Sequence, residues 1–503
     1  MENFLHCLSN HSSPAISNAV YTPNHPSFLS ILHMHTHNHR FSAPTAPKPL
    51  AIVTALHESH VQGTVICAKS NGLQLRIRSG GHDVEGLSYV SDVPFIILDM
   101  FPIGSVDMDI ANGTAWVQSG ATLGQVYYHI AEKSRVHGFP AGVCPTVGSG
   151  GHFSGGGYGN LMRKYGLSVD NIIDAKLVDV DGNILDRESM GEDHFWAIRG
   201  GGGASFGVIL SWKIKLVTVT PNVTVFKVIR ALEDGALDVV YKWQLIATKL
   251  RDDLFIRTMH DVVDGAEKAN KTIHVTFIGL FLGQSDEMLS LVNESFPELG
   301  LKQSDCIEMP WINSILYWYN YPIGTPIEAL LDVPKEPISY SFKTKSDYVK
   351  EPIPKTGLKS MWELMIKSES VRMEWNPYGG KMDEISPSET PFPHRAGELF
   401  LIEYLTSWGQ DGVEAAGRYL NISRSFYEFM TPYVSHSPRE AFLNYRDLDL
   451  GANHPSNATN MEIARSYGSK YYKGNFERLV RVKSRVDPDN FFRNEQSIPP
   501  LSH

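Results

Sequence analysis

The sequence predicts an α+β fold in which a unit of alternating strands and helices is followed by a second sheet carrying helices on one face. Three observations predict it. Apolar periodicity switches between strand and helix spacing over the first 217 residues, and three glycine-rich loops punctuate that stretch. From residue 218 the chain turns to longer aromatic, strand-like runs with amphipathic helices between them.

Residues 49–53 form a short apolar run, and 57–70 form a helix-like stretch closed by Asn71-Gly72, a C-cap signal. Leu73, Leu75 and Ile77 alternate with Gln74, Arg76 and Arg78, the period-2 pattern of a half-buried strand. Residues 94–100 read as a buried strand. Residues 175–180 and 184–185 flank Asp181-Gly182, a hairpin signal. A helix over 193–199 is broken by four glycines, and a long strand follows over 206–217. Further strands are predicted at 273–282 and 399–408. A terminal helix carries Phe476, Leu479, Val480 and Lys483 and stops at Asp487-Pro488. These shifts divide the chain at 1–217, 218–440 and 441–503.

The 503 residues carry a net charge of -10 with 42% hydrophobic and 20% charged residues, ordinary proportions for a globular enzyme. No Lys/Arg run marks a nucleic-acid or anionic-membrane partner. Apolar runs, such as those at 94–98 and 208–210, are far too short to span a bilayer. Met1 leads into Glu-Asn-Phe-Leu-His-Cys with neither a basic nor an apolar leader region, which read alone suggests a cytosolic chain. Against that stand seven N-x-S/T sequons, at Asn10, Asn112, Asn222, Asn270, Asn293, Asn421 and Asn457. There are four cysteines, of which Cys7 and Cys67 can close a loop near the N-terminus. The expectation is a secretory-pathway protein, extracellular or vacuolar, numbered without its signal peptide, and monomeric.

The densest signal is Cys144-Pro-Thr-Val-Gly-Ser-Gly-Gly-His-Phe-Ser-Gly-Gly-Gly-Tyr-Gly159, in which seven of the twelve residues from Gly148 are glycine. Such density forfeits packing and helix propensity, and close approach of backbone N–H groups to a phosphate or planar cofactor is the usual reason for it. Two further loops, Arg78–His82 and Arg199–Gly207, each combine an arginine with several glycines. Three such loops suit a long, multi-phosphate ligand. None fits the dinucleotide fingerprint, because a strand and not a helix follows Gly200–Gly203. Gly203-Ala-Ser205-Phe-Gly207 matches the nucleophile-elbow pattern, but its helix precedes it and its strand follows, the wrong order for a serine hydrolase. His33, His35, His37 and His39 alternate in a polar segment with no paired carboxylate or cysteine, far along the chain from the glycine loops. Histidine is the commonest metal ligand, but the expectation is a solvated stretch that binds metal only adventitiously, away from those loops.

Arg78-Ser-Gly-Gly-His-Asp-Val-Glu-Gly-Leu-Ser-Tyr89, the Cys144 and Arg199 loops, Pro391-Phe-Pro-His-Arg395, Asn444-Tyr-Arg-Asp-Leu-Asp-Leu-Gly451 and Val486-Asp-Pro-Asp-Asn-Phe-Phe492 together resemble the plant berberine bridge enzyme-like flavoproteins, over essentially the whole chain. Cannabinoid oxidocyclases belong to that family. The resemblance implies a vanillyl-alcohol-oxidase-like (PCMH-type) FAD domain built from both chain ends and a central substrate domain with an antiparallel sheet covered by helices. It implies FAD bonded twice, through His82 to the flavin 8α-methyl and through Cys144 to flavin C6, and a Cys7–Cys67 disulfide. Arg78, Ser79, Gly80, Gly81, Val147, Gly148, Ser149, Gly150, Gly151, Gly155, Tyr158, Gly159, Gly207, Val208 and Asn444 are the implied cofactor contacts. Val147 matches a position where a small residue admits oxygen to the flavin.

By the same matching Tyr445 is the implied catalytic base, Glu403 a second acid–base group, and His274 and Tyr89 further groups facing substrate or flavin. A phenol near pKa 10 needs a lowered pKa or a cationic neighbour to act at neutral pH, and a carboxylate on an apolar strand is paired, raised in pKa or functional. Ser149 stands where relatives commonly carry valine, and Phe442 where they often carry tyrosine. The implied activity is oxidation or oxidative cyclisation of a phenolic or prenylated plant metabolite, with hydride passing to the flavin and O2 returning it to the oxidised state. The alternatives are a non-redox Diels–Alder cycloaddition on the same scaffold and a carbohydrate oxidase.

Overall fold

The computed structural model describes residues 1–13, 16–265, 270–332, 338–410, 412–454 and 460–501. Three parallel strands, β2 (Ala51–Thr54), β3 (Gln74–Arg78) and β4 (Phe95–Asp99), form a first sheet with β1 (Val20–Tyr21) antiparallel at its edge, in the order β1-β2-β4-β3. The helix Glu58–Ser70 supplies the crossover from β2 to β3, and the His57 side chain caps it by accepting from the Ser59 N–H. Gly72, at φ +65°, takes the left-handed turn that ends it. The N-terminal helix Glu2–His11 packs on this crossover helix and is tied to it by the Cys7–Cys67 disulfide. Such a bond fits the secretory pathway.

A second, antiparallel sheet in the order β5-β6-β10-β8-β9 is built from β5 (Val106–Asp109), β6 (Thr114–Gln118), β8 (Ile172–Val178), β9 (Ile184–Leu185) and β10 (Val208–Lys215); a small pair, β7 (His137–Gly138) with β11 (Val217–Thr218), stands apart. The hairpin at Asp181-Gly182 forms as its sequence predicts, with Gly182 at φ +84°. The terminal helix Phe476–Val486 and the segment after it return to this half of the molecule, where Phe491 and Phe492 join its core.

The third sheet is antiparallel and has seven strands in the order β15-β12-β14-β13-β17-β18-β16. They are β12 (Asn222–Ala231), β13 (Leu254–Asp264), β14 (Lys271–Phe281), β15 (Cys306–Pro310), β16 (Ser341–Val349), β17 (Val371–Pro377) and β18 (Phe400–Trp408). Helices Ala236–Ile246, Ser285–Ser295, Lys355–Ser368 and Val413–Phe429 cover one face, meeting Ile256, Met373, Trp375 and Ile402. Side chains alternate across a strand, so Arg257, Met259, Arg372, Glu374, Glu403 and Leu405 point to the other face, where they line a cavity.

Two expectations change. The polar members of β3 are not solvated: Gln74, Arg76 and Arg78 are all buried, because the sheet is covered on both faces. Arg76 pairs with Glu495 at 2.7 Å, and Arg78 binds Asp99 at 2.5 Å and the carbonyls of Ile31 and Leu32. The histidine segment is not a solvated stretch either. His35 and His37 are 4% and 8% exposed, and Asn38, fully buried, donates to the carbonyls of Val84 and Phe342, pinning the segment between the Arg78 loop and β16.

Candidate active site

A cavity of about 610 Å³ runs between the first two sheets and the open face of the third. One end is backbone-lined. Ser79, Gly80, Gly81 and His82 come from the turn after β3, Gly148, Gly150 and Gly151 from the glycine run, and Gly202, Gly203 and Gly207 from the third loop. A Cβ on Gly148 would overlap the backbone nitrogen of Gly80, so the first two loops touch at a spacing only glycine permits. A Cβ on Gly151 would stand in the cavity with no protein atom within 4 Å, leaving that backbone open to a ligand. Arg76 also lines this end. Its Nη2 is held by Glu495, while Nε and Nη1 have no hydrogen-bond partner among the described residues, donors that a phosphate satisfies.

At mid-cavity His82 and Cys144 meet on one hydroxyl. Thr146 Oγ1 lies 3.0 Å from His82 Nε2 and 3.5 Å from Cys144 Sγ, so two side chains 62 residues apart in sequence are neighbours at the same wall. Burial, with the nearby rings of His37, His35 and His152, holds His82 well below the usual histidine range. His152, inside the glycine run, is pushed down to about 4 by burial and accepts from the Gly142 N–H through Nε2 at 2.9 Å.

The other end is the sheet face. The Tyr158 and Tyr445 hydroxyls are hydrogen-bonded to each other, and Asn376 donates to Tyr158 at 3.1 Å. Tyr445 also hydrogen-bonds the carboxyl of Glu403. Burial, then the opposed carboxylate of Glu374, raises Glu403 to about 7, although Tyr445, Arg257 and Arg372 pull the other way. Glu374 and Glu403 are direct cross-strand partners on β17 and β18. Burial and the Glu403 charge drive Tyr445 far above the usual phenol range, so the group poised near neutrality is the carboxyl and not the phenol. Arg257 holds Glu374 at 3.1 Å and Asn376 at 2.6 Å, and Arg372 reaches Glu374 at 3.3 Å and Asp261 at 3.2 Å. Trp318, Tyr319, Tyr340 and Phe342 supply an aromatic wall.

The chain is similar throughout to proteins of known kind. Residues 49–187 match the model of an FAD binding domain, and 441–499 match the one described as berberine and berberine like. Berberine bridge enzyme-like 17 of Arabidopsis thaliana is 55% identical over 504 residues, covering 100% of this chain and 95% of that protein. The chain belongs to the berberine bridge enzyme-like family. Its solved neighbours include BBE-like #28 from Arabidopsis thaliana, at TM-score 0.93 and 46% identity over 100% of both chains. They include the grass pollen allergen Phl p 4, described as having glucose dehydrogenase activity, at TM-score 0.93 and 42% identity over 99% of this chain and 100% of that one. An isoleucine-to-valine variant of Phl p 4 is described as a glucose oxidase. Berberine bridge enzyme-like proteins are FAD-dependent oxidoreductases, and the glycine cradle and unpartnered Arg76 donors fit that cofactor.

The structure brings most of the sequence-derived residues to the cavity: His82, Cys144, Ser79, Gly80, Gly81, Val147, Gly148, Gly150, Gly151, Gly155, Tyr158, Gly207, Asn444, Glu403 and Tyr445 all line it. Others lie elsewhere. Arg78 is turned inward as a clamp on Asp99. Ser149 is fully buried and donates to the Gln118 carbonyl, which explains why a polar residue is tolerated there. Val208 is core, and Gly159 packs its backbone on Ala141. Tyr89 is 1% exposed behind the Arg78 loop. His274, on β14, sits opposite Asp261 beyond the cavity lining. Sequence reasoning missed Arg257, Arg372 and Glu374. The alternation of Arg372, Glu374 and Asn376 with Val371, Met373 and Trp375 was the available signal.

Proposed function

We propose that this protein is an FAD-dependent oxidase that removes a proton from a hydroxyl of a ring-bearing small molecule, a phenolic or prenylated one, and oxidises it. The observation that carries the reading is the Glu403–Tyr445–Tyr158 hydrogen-bonded chain on the open face of the third sheet, with a carboxyl at about 7. FAD held in the glycine cradle supplies the hydride acceptor, regenerated by O2 with release of H2O2. Glu403 takes the substrate proton, Tyr445 and Tyr158 hand it along, and the aromatic wall holds the substrate ring. His82 and Cys144 are the covalent anchors, a reading supported by their meeting on Thr146. Val147 lines the cavity, and the Phl p 4 pair of a dehydrogenase and a valine-bearing oxidase supports oxygen as acceptor. Six described sequon asparagines, 10, 112, 222, 270, 293 and 421, are all exposed, which supports glycosylation in the secretory pathway; Asn457 lies outside the described residues.

A second reading, oxidation of a carbohydrate, is favoured by the Arg257–Glu374–Arg372 floor, whose charged donors and acceptors suit a polyhydroxylated ligand, and by the Phl p 4 activity. The deciding experiment follows flavin absorbance without air, first with prenylated phenols and then with mono- and oligosaccharides, on protein whose flavin survives denaturation. Bleaching by phenols, restored by air, supports the first reading; bleaching by sugars alone replaces it with the second. Covalent flavin that never bleaches while a diene and a dienophile are consumed overturns both for a non-redox cycloaddition.

A further inference from the structure

The histidine segment at 33–39 plays no part in the chemistry above, yet two of its rings are buried against the site. His37 stacks on His82 with ring centroids 4.0 Å apart and planes 22° from parallel. His37 does not line the cavity; it backs His82 from the protein side. The ring of His37 is itself held, by a hydrogen bond to the Gly80 backbone, and His35 lies against Phe101 with centroids 4.1 Å apart and planes tilted by 34°. The two segments press together without slack: a Cβ on Gly81, at φ +71°, would overlap the carbonyl oxygen of His35.

A histidine ring turns about a broad torsion, so a hydrogen bond at one nitrogen leaves its plane free to rock. Thr146 fixes His82 at Nε2, and the stack fixes the plane. Burial holds both rings below the usual histidine range, His37 to about 4, so they stack as neutral rings without mutual repulsion, and His82 keeps a lone pair.

We propose that His37 is a positioning residue for the attachment of the cofactor to His82, acting by stacking. The inference rests on the covalent reading of His82. The bond formed joins an imidazole nitrogen of His82 to the 8α carbon of FAD. One C–H and one N–H bond break, and the two protons and two electrons released are taken up by dioxygen as hydrogen peroxide. A ring held in plane reaches that carbon far more often than one that rocks.

The test uses the Cys144→Ala variant, in which flavin that survives denaturation reports His82 alone. Flavin fluorescence in the denatured protein band, thermal melting and non-covalent flavin content are measured for Cys144→Ala and for the same variant carrying His37→Leu or His37→Phe. The expected result is that His37→Leu lowers the covalent fraction at least tenfold while bound flavin and melting stay near those of the parent. His37→Phe, which keeps a flat ring without nitrogens, restores most of it. Full covalent flavin in His37→Leu overturns the proposal, as does His37→Phe behaving like His37→Leu. If His37→Leu does not fold, the phenylalanine variant alone decides, since stacking requires it to attach. Release of all flavin by Cys144→Ala itself overturns the His82 attachment and the proposal together, an outcome distinct from the other two.

Discussion

Replacing Glu403 by glutamine separates its charge from its shape. The folded carboxyl titrates at about 7 against an ordinary value of 4.5. Between those two pH values the folded chain keeps a proton that the unfolded chain releases. Stability therefore falls as pH rises through this window, and the loss is complete above pH 7. The 2.5-unit gap corresponds to about 3 kcal/mol. That figure is a ceiling, since Glu403 borders the cavity and its anion meets water there. For a chain of 503 residues the unfolding entropy is about 1 kcal/mol per kelvin, so the glutamine variant should melt up to about 3 °C higher than the parent at pH 8 and at the same temperature at pH 4. Activity moves the other way. The parent's kcat/KM should rise with pH through about 7 as the base ionises. The variant should lose that limb and about 10²–10⁴-fold in kcat. Melting curves at the two pH values and a pH–rate profile are the assays. An equal melting gap at both pH values refutes the buried-carboxyl argument, and a retained limb refutes Glu403 as the base.

Glu374→Gln removes the like charge opposite Glu403, so the same limb should move to lower pH with flavin content unchanged; an unmoved limb means Arg257 already cancels Glu374. Val147→Ile should slow reoxidation by air about tenfold while leaving substrate-driven bleaching alone, as read by stopped-flow in the two half-reactions. Cys7→Ser opens a loop of sequence separation 60 and should cost about 4 kcal/mol in a denaturant titration. Gly155→Ala would drive a Cβ into Asn444 Oδ1 and should lower the flavin-to-protein ratio several-fold; an unchanged ratio shows that Asn444 can swing aside.

What the sequence showed plainly was what local chemistry decides. The crossover helix was legible from its apolar spacing and its Asn71-Gly72 ending, and the hairpin from Asp181-Gly182. Strand β3 was legible as a strand but not in its burial. Whether Arg76 is solvated depends on Glu495, 419 residues away, and no periodicity within five residues carries that information. His35 and His37 misled for the same reason. A polar segment reads as solvated unless one knows that Asn38 will anchor it to Val84 and Phe342.

The two ends of the cavity differ in the same way, and this has a functional consequence. The cofactor end is made of loops contiguous in sequence, each a recognisable string, so it was readable. The other end is one face of β13, β16, β17 and β18, and its floor exists only because that pairing puts Arg257, Glu374 and Glu403 side by side. Single exchanges on that face alter charge and shape at the substrate without disturbing the loops or the opposite, helix-covered face, because alternate side chains point to different layers. Such a scaffold can keep its cofactor and its fold while its substrate changes. This is why the glycine strings reveal the family, whereas Arg257, Arg372 and Glu374, brought together only by strand pairing, form no string that could be read from the sequence.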